Sequence, residues 1–389
     1  MIFKLKHILY VQFIIYFLIL IFLNANPVFL TLLGITIMSS LIFVLLIDFY
    51  NDNIKFSTKR ISMFFYIILL IIFFLSFLFS KDYLLITISS IFLYSYYFYR
   101  VQFDKDEFLN IINIVFLFYL FISILAYFNF IPYPRTTTAE IIGFKESILG
   151  IKGLIGYTGS TAHIDSFSVL IACVNFIFFK NKKNLIVIVI SILTALSTGS
   201  MTAIVLIPIT ILSYLFVRKP ILAGIILTLY TIIYLLILFA LSSNTHFYVL
   251  GQDLYTIMNA ATHGRSVIWE RMWVKMIHEY EWYDYIFGIN NFKGIMQVPI
   301  WWSTGWTSNP HNSLLNIFFR FPLFFVLGYT YFIFLVLKNF NYKLFTVVLV
   351  ILMASLSNVE IFGLQNPIYF IILIYTLTYF SKFNKKEFN

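Results

Sequence analysis

The sequence predicts an all-α polytopic membrane protein with about twelve transmembrane helices and two long extracytoplasmic loops, the larger one partly helical. Three observations predict this fold. Of 389 residues, 61% are hydrophobic and 11% charged, with a mean hydropathy of +0.93, far outside the range of a soluble domain. The apolar residues come in runs that match the roughly 20 helical residues needed to cross a bilayer, fewer where the ends snorkel. The basic residues collect on one side of those runs.

By that ruler, spans fall near 8 to 23, 27 to 47, 61 to 79, 83 to 99, 109 to 130, 161 to 179, 185 to 198, 201 to 217, 220 to 241, 321 to 338, 342 to 357 and 366 to 381. The chain then reads as transmembrane helices over 1–130, a first long loop over 131–160, further helices over 161–241, a large loop over 242–320, and the last helices with a tail over 321–389. Lys4 and Lys6 precede the first apolar run with no small-residue cleavage site after it, so it reads as a span rather than a removed signal peptide.

An even number of spans puts both termini on one side. Lys55, Lys59, Arg60, Arg100, Lys105, Lys180, Lys182, Lys183, Arg218, Lys219, Lys338, Lys343, Lys382, Lys385 and Lys386 fall on that side, against Lys81 alone in the short loops opposite. The termini are therefore expected in the cytoplasm and both long loops outside it. This topology absorbs most of the formal charge of +10, which would otherwise point to nucleic acid. Membrane lipids are the expected surroundings, and nucleic acid is not an expected partner.

Several chemistries are excluded by what the chain lacks. Cys173 is the sole cysteine, so no intramolecular disulfide can form. There is no HExxH and no tight His or Asp cluster, and no metal or cofactor is expected. Ionisable residues of the spans, such as Asp48, His163, Asp165 and Arg320, stay near span ends. An ion-coupled carrier needs such groups at mid-membrane.

The first long loop holds Pro132, Pro134, Arg135, Glu140, Lys145, Glu146 and Lys152 among Gly143, Gly150, Gly153 and Gly156. Such glycine density prevents a long helix and permits close backbone approach to a ligand, or makes a flexible connector. In the large loop, Trp269, Met272, Trp273, Met276 and Tyr280 recur at helical spacing, with Glu270, Arg271, Lys275 and Glu279 on the other face. This predicts an amphipathic helix over 266–280, lying on the membrane or on the bundle. Arg265 sits at its expected N-terminus, where backbone amides and the helix dipole favour an anion. Trp301, Trp302 and Trp306 surround Gly305 as interfacial anchors or as stacking platforms for sugar rings.

Gly264-Arg265-Ser266-Val267-Ile268-Trp269, then Phe287-Gly288-Ile289-Asn290, then His311-Asn312-Ser313-Leu314-Leu315 resemble in order and spacing the O-antigen ligase and O-antigen polymerase superfamily, whose large periplasmic loop carries a GR…W segment, an FGxG-like turn and an HNxxL segment. The segment Thr158-Gly159-Ser160-Thr161-Ala162-His163-Ile164-Asp165 is similar to the family's glycine-rich helix opening, and Leu196-Ser197-Thr198-Gly199-Ser200-Met201-Thr202-Ala203 stands where the family has a Ser-Arg-Gly turn. The chain lacks the arginine of that turn and the one that often precedes the glycine-rich segment, where Gly156 and Tyr157 stand instead.

The resemblance implies a metal-independent glycosyltransferase of the bacterial cytoplasmic membrane. It would polymerise undecaprenyl-diphosphate-linked repeat units into O-antigen or capsular polysaccharide by block transfer to the acceptor's terminal sugar. Its partners would be lipid-linked donor and acceptor and a chain-length regulator protein. Arg265 is the first candidate for holding the diphosphate, because a guanidinium fork can grip phosphate oxygens bidentately and stays charged. Arg135, Lys145 or Lys152 would complete that site. His311 is the candidate acceptor of the attacking hydroxyl's proton. Asn312, His163, Asp165, Arg271 and Trp269 are candidate substrate contacts. Two rivals are a ligase on the same scaffold, delivering glycan to a lipid A core or protein, and a lipid-linked oligosaccharide flippase, which needs a cationic central cavity and only short loops.

Overall fold

The structure is a computed structural model and describes residues 105–131, 154, 161–179, 181–242, 248–249, 252–253, 265–289, 292–299, 305–310, 312–338, 340–355, 369, 372–373, 375–377 and 379–380. The spans expected near 8 to 23, 27 to 47, 61 to 79 and 83 to 99 lie outside these residues, as do Arg135, Lys145, Lys152 and His311. The described chain is mostly helical. It divides into two compact units, one of Met1–Leu212, Thr346–Ala354 and Glu360–Asn389, the other of Ser213–Phe345 and Ser355–Val359.

In the first unit, α1 (Lys105–Tyr127) is 23 residues long, about 34 Å at the α-helical rise. It is the described helix long and apolar enough to cross a membrane. Asp106 and Glu107 in its first turn complement the dipole. Its end is a Schellman motif: Asn129 takes a left-handed φ of 61°, Phe130 N–H donates to Leu125 O at 2.9 Å and Asn129 N–H to Ala126 O at 3.0 Å. One stripe of α1, including Phe108, Ile112, Phe116 and Tyr119, is buried, while Ile114, Leu117, Phe121, Ile124 and Phe128 are exposed at spacings of three and four. A helix apolar on both its protein face and its outer face suits lipid rather than water.

α2 (Thr161–Ile177) packs between α1 and α3 (Lys182–Ser197). Its buried asparagine is tied to both neighbours. Asn175 and Asn113 exchange amide hydrogen bonds of 2.7 and 2.9 Å, Asn175 also donates to Ile171 O at 2.9 Å, and Asn184 Nδ2 donates to Asn175 Oδ1 at 3.1 Å. Asn181 caps α3, its side chain accepting from Asn184 N–H. α3 ends at Gly199, whose φ of 62° turns the chain into α4 (Met201–Phe216). That turn is the segment matched above to the family's Ser-Arg-Gly turn, and Leu154 N–H donates to Ser197 O there at 3.0 Å.

The second unit is built on α5 (Pro220–Ser242), which opens with proline at the first helical position. Two short antiparallel pairs follow in its loop, β1 (Tyr248–Val249) with β2 (Gln252–Asp253) and β3 (Val298–Pro299) with β4 (Trp306–Thr307). Among them stand α6 (Arg265–Glu279), α7 (Trp282–Phe287), α8 (Phe292–Ile295) and α9 (Ser313–Arg320). α10 (Pro322–Lys338) then packs along α5, and Thr231 and Tyr329 share a hydroxyl hydrogen bond of 3.2 Å. α11 (Tyr342–Ser355) begins in this unit.

The second, fourth, fifth, tenth and eleventh of these helices contain apolar stretches shorter than a full crossing, Ile164–Ile177, Thr202–Phe216, Pro220–Ile232, Phe325–Lys338 and Tyr342–Ser355. They too leave large apolar side chains outward, among them Leu215, Ile225, Leu229 and Val326.

Because Asn175 is fully buried and serves Asn113 and Asn184 at once, Asn175→Leu strands two amides. A loss of about 1–2 kcal/mol is expected, read as a lower unfolding midpoint of the purified protein in detergent.

Candidate functional site

The amphipathic stripe forms the helix its spacing predicts. α6 runs from Arg265 to Glu279, so Arg265 is its first residue rather than the one before it. Trp269, Met272, Met276 and Tyr280 are buried, and they pack with Ile268, Ile289, Phe292, Met296, Val298, Leu315 and Phe319 into one core. Trp273, read on the same face, is only partly buried and stacks on Phe318 at 5.9 Å. The helix therefore lies on its own loop's elements and against α5. Its polar face is used as well: Arg271 donates to Pro299 O at 2.8 Å and Lys275 to Ile295 O at 2.7 Å, with Glu279 3.6 Å from Lys275.

All three sequence islands contribute to that core: Ile268 and Trp269 from the first, Ile289 from the second, Leu315 from the third. Trp269 Nε1–H donates to Pro310 O at 2.6 Å across 41 positions, in a buried contact. Asn312 is fully buried and caps α9, its Oδ1 accepting from Leu315 N–H at 3.0 Å, while its carbonyl accepts from Asn316 N–H at 2.9 Å. The backbone is thus pinned on both sides of position 311. Arg265 and Trp269 are one turn apart on the same face of α6, about 6 Å along the axis.

The Phe-Gly turn has an equally specific job. Gly288 ends α7 with φ 88° and donates to Asp284 O at 2.9 Å, and Ile289 N–H donates to Arg320 O at 3.1 Å. A Cβ at position 288 would collide with the Phe321 ring and come within 2.8 Å of Arg320 O. Only glycine lets α7 close onto the junction of α9 and α10. Arg320 itself lies over the Phe292 ring at 4.2 Å and donates from Nε to Asn316 Oδ1 at 3.1 Å.

Two tyrosines that the sequence reading gave no role complete the frame. Tyr280 OH donates to Phe319 O, and Tyr285 OH donates to Met276 O at 2.8 Å. Burial, with Asp284 as the second cause, pushes both hydroxyls above the usual tyrosine value, so that they remain protonated donors even in alkaline solution. Tyr280 was visible as the last member of the apolar stripe, but its hydroxyl's partner lies 39 positions away.

The remaining candidates lie elsewhere. Asp165 is buried in α2, in the first unit, where its Oδ1 accepts from Ser166 N–H beside the Ser166–Tyr369 hydroxyl pair at 2.8 Å. His163 lies in the first turn of the same helix. Trp301 and Trp302 lie outside the described residues, and Trp306 is exposed on β4. Among the described residues no three His, Cys, Asp or Glu side chains gather as a metal site.

Gly288→Ala should cost about 3 kcal/mol, part from the left-handed φ and part from the collision. Phe287→Ala, at a side chain 70% exposed, should stay within about 0.5 kcal/mol. Unfolding midpoints of the two variants check this. Set against known proteins, the chain matches no family model, no curated protein and no solved structure.

Proposed function

We propose that this chain is a glycosyltransferase of the bacterial cytoplasmic membrane. It takes undecaprenyl-diphosphate-linked oligosaccharide and transfers the glycan as a block onto the terminal sugar of another lipid-linked repeat unit, building O-antigen or capsular polysaccharide. The observation that carries the reading is the convergence of the GR…W, FG and HN islands on one small core, tied by the Trp269–Pro310 hydrogen bond.

In this mechanism the acceptor hydroxyl attacks the anomeric carbon and the bond from that carbon to the diphosphate oxygen breaks. Charge develops on the leaving diphosphate, and the Arg265 guanidinium offsets it from the start of α6, with Arg135, Lys145 or Lys152 as the second cation. His311 takes the acceptor's proton. Arg271 and Trp269 also work as struts, through Pro299 O and Pro310 O, so substitution at either would displace the site as well as any substrate contact. No metal or soluble cofactor enters the mechanism. A chain-length regulator is the expected protein partner.

Arg265→Ala and His311→Ala should each lower polymer formation about 100-fold or more while leaving membrane insertion intact. Normal chain length in both variants removes them from the mechanism. Arg265→Lys should be nearly as poor, because an ammonium cannot make the bidentate contact.

A deletion strain separates the two enzyme readings. Single-repeat surface glycan marks a lost polymerase, whereas lipid-linked polymer with no attached glycan marks a lost ligase. Unchanged polymeric and attached glycan excludes both.

A further inference from the structure

We infer that the second unit carries a binding site for an anionic phospholipid headgroup, built from the turn between α4 and α5 and the turn between α10 and α11. The two turns are brought together by Arg218. Its guanidinium carbon lies 4.1 Å from the centre of the Tyr342 ring and 5.2 Å from that of Tyr214, and its Nε donates to Leu215 O at 3.2 Å. Tyr214 and Tyr342 meet edge to face at 5.3 Å. A surface arginine at a helix end ordinarily samples many rotamers, but this one is held in place before any ligand arrives.

Three further cations stand on the same two turns: Lys219 beside Arg218, Lys343 beside Tyr342, and Lys338 at the end of α10, over the Phe334 ring at 5.6 Å. Neither turn brings a counter-charge of its own, because no Asp or Glu occurs from 166 to 252 or from 285 to 359. Flanking the cations are outward-facing apolar side chains, Phe216 before the first turn, Ile221 after it, and Phe334 before the second. Fixed positive charge above an exposed apolar wall is complementary to one molecule in particular: a lipid whose phosphodiester sits at the interface while its acyl chains run along the helices. A soluble anion would use the charge and leave the wall uncovered. The site does not depend on the glycosyltransferase reading, only on this unit's helices lying in a bilayer.

The test uses the full-length protein in detergent and native mass spectrometry, with dioleoyl phosphatidylglycerol and dioleoyl phosphatidylcholine as probes. The wild type should retain phosphatidylglycerol over phosphatidylcholine, and millimolar inorganic phosphate should not displace it. The double variant Arg218→Gln/Lys343→Gln should lose affinity for phosphatidylglycerol by roughly 25-fold, about a factor of five for each cation at a membrane surface. If that variant fails to fold, as its unfolding midpoint will show, Lys338→Gln at an exposed position should still lose about fivefold. Equal retention of the two lipids, or retention unchanged in a folded variant, overturns the proposal. Displacement by inorganic phosphate reduces the site to a simple anion contact and equally overturns it. None of these readouts involves glycan transfer, so a failed polymerase reading would leave them standing.

Discussion

The candidate site depends on a buried long-range tether between its first and last islands. The indole N–H of Trp269 reaches Pro310 O at 2.6 Å, and it does so from a helix whose apolar stripe is already committed to the core that holds Ile289 and Leu315. Both partners are buried, so breaking the bond would leave a donor and a carbonyl without water, a cost of about 1–3 kcal/mol. The apolar core brings the three islands together, but burial is not directional and would tolerate a slide of one element past another. The hydrogen bond removes that freedom, and the Asn312 cap then fixes where α9 begins relative to it.

Glycine and tyrosine set the remaining edges. Gly288 allows α7 to approach the Arg320–Phe321 junction closely enough for Ile289 N–H to reach Arg320 O, and Tyr280 OH donates to Phe319 O next to it. Three carbonyls in the last turn of α9, those of Ile317, Phe319 and Arg320, are thereby accounted for, since Phe321 N–H closes back on Ile317 O. Helix ends leave carbonyls without intrahelical partners, and here a neighbouring amide and a phenol supply them. The short helix α9 can therefore stop and the apolar α10 begin with a single residue between them.

Much of this was legible in the residues. The three-and-four spacing of Trp269, Met272, Met276 and Tyr280 marks both the helix and the face it buries, because the periodicity of an α-helix is local. Gly199 and Asn312 carry ordinary end signals, a glycine after the last helical residue and an asparagine before the first. The resemblance makes Asn312 a candidate substrate contact, and the structure adds that its side-chain oxygen caps α9, a local role that a reading by motif passes over. What could not be read were the partners at long range: Pro310 for Trp269, Phe319 for Tyr280, Arg320 for Ile289. Nothing in a chain records which carbonyl a side chain 40 positions away will meet until the core has formed. Trp273 illustrates the converse, lying on the predicted stripe and yet only partly buried, packed against the core and stacked on Phe318.

Charge in the second unit is arranged along α10. Arg320 lies just before its first residue and Lys338 is its last, and the 17 residues between them span about 25 Å, somewhat short of the ~30 Å hydrocarbon core. A helix of that length keeps both end cations within snorkelling reach of an interface. At one end, Arg320 is folded onto Phe292 and Asn316 and helps to close the motif core. At the other, Lys338 lies over Phe334, on the turn that leads to Tyr342 and its contact with Arg218. Aromatic rings accompany the cations at both ends, which lowers the cost of holding a charge where water is scarce. The same short apolar helix thus sets the spacing between the candidate site and the cationic turns. A residue inserted into α10 would shift one relative to the other by 1.5 Å and rotate it by roughly 100°, enough to separate Ile289 from Arg320 or Arg218 from Tyr342.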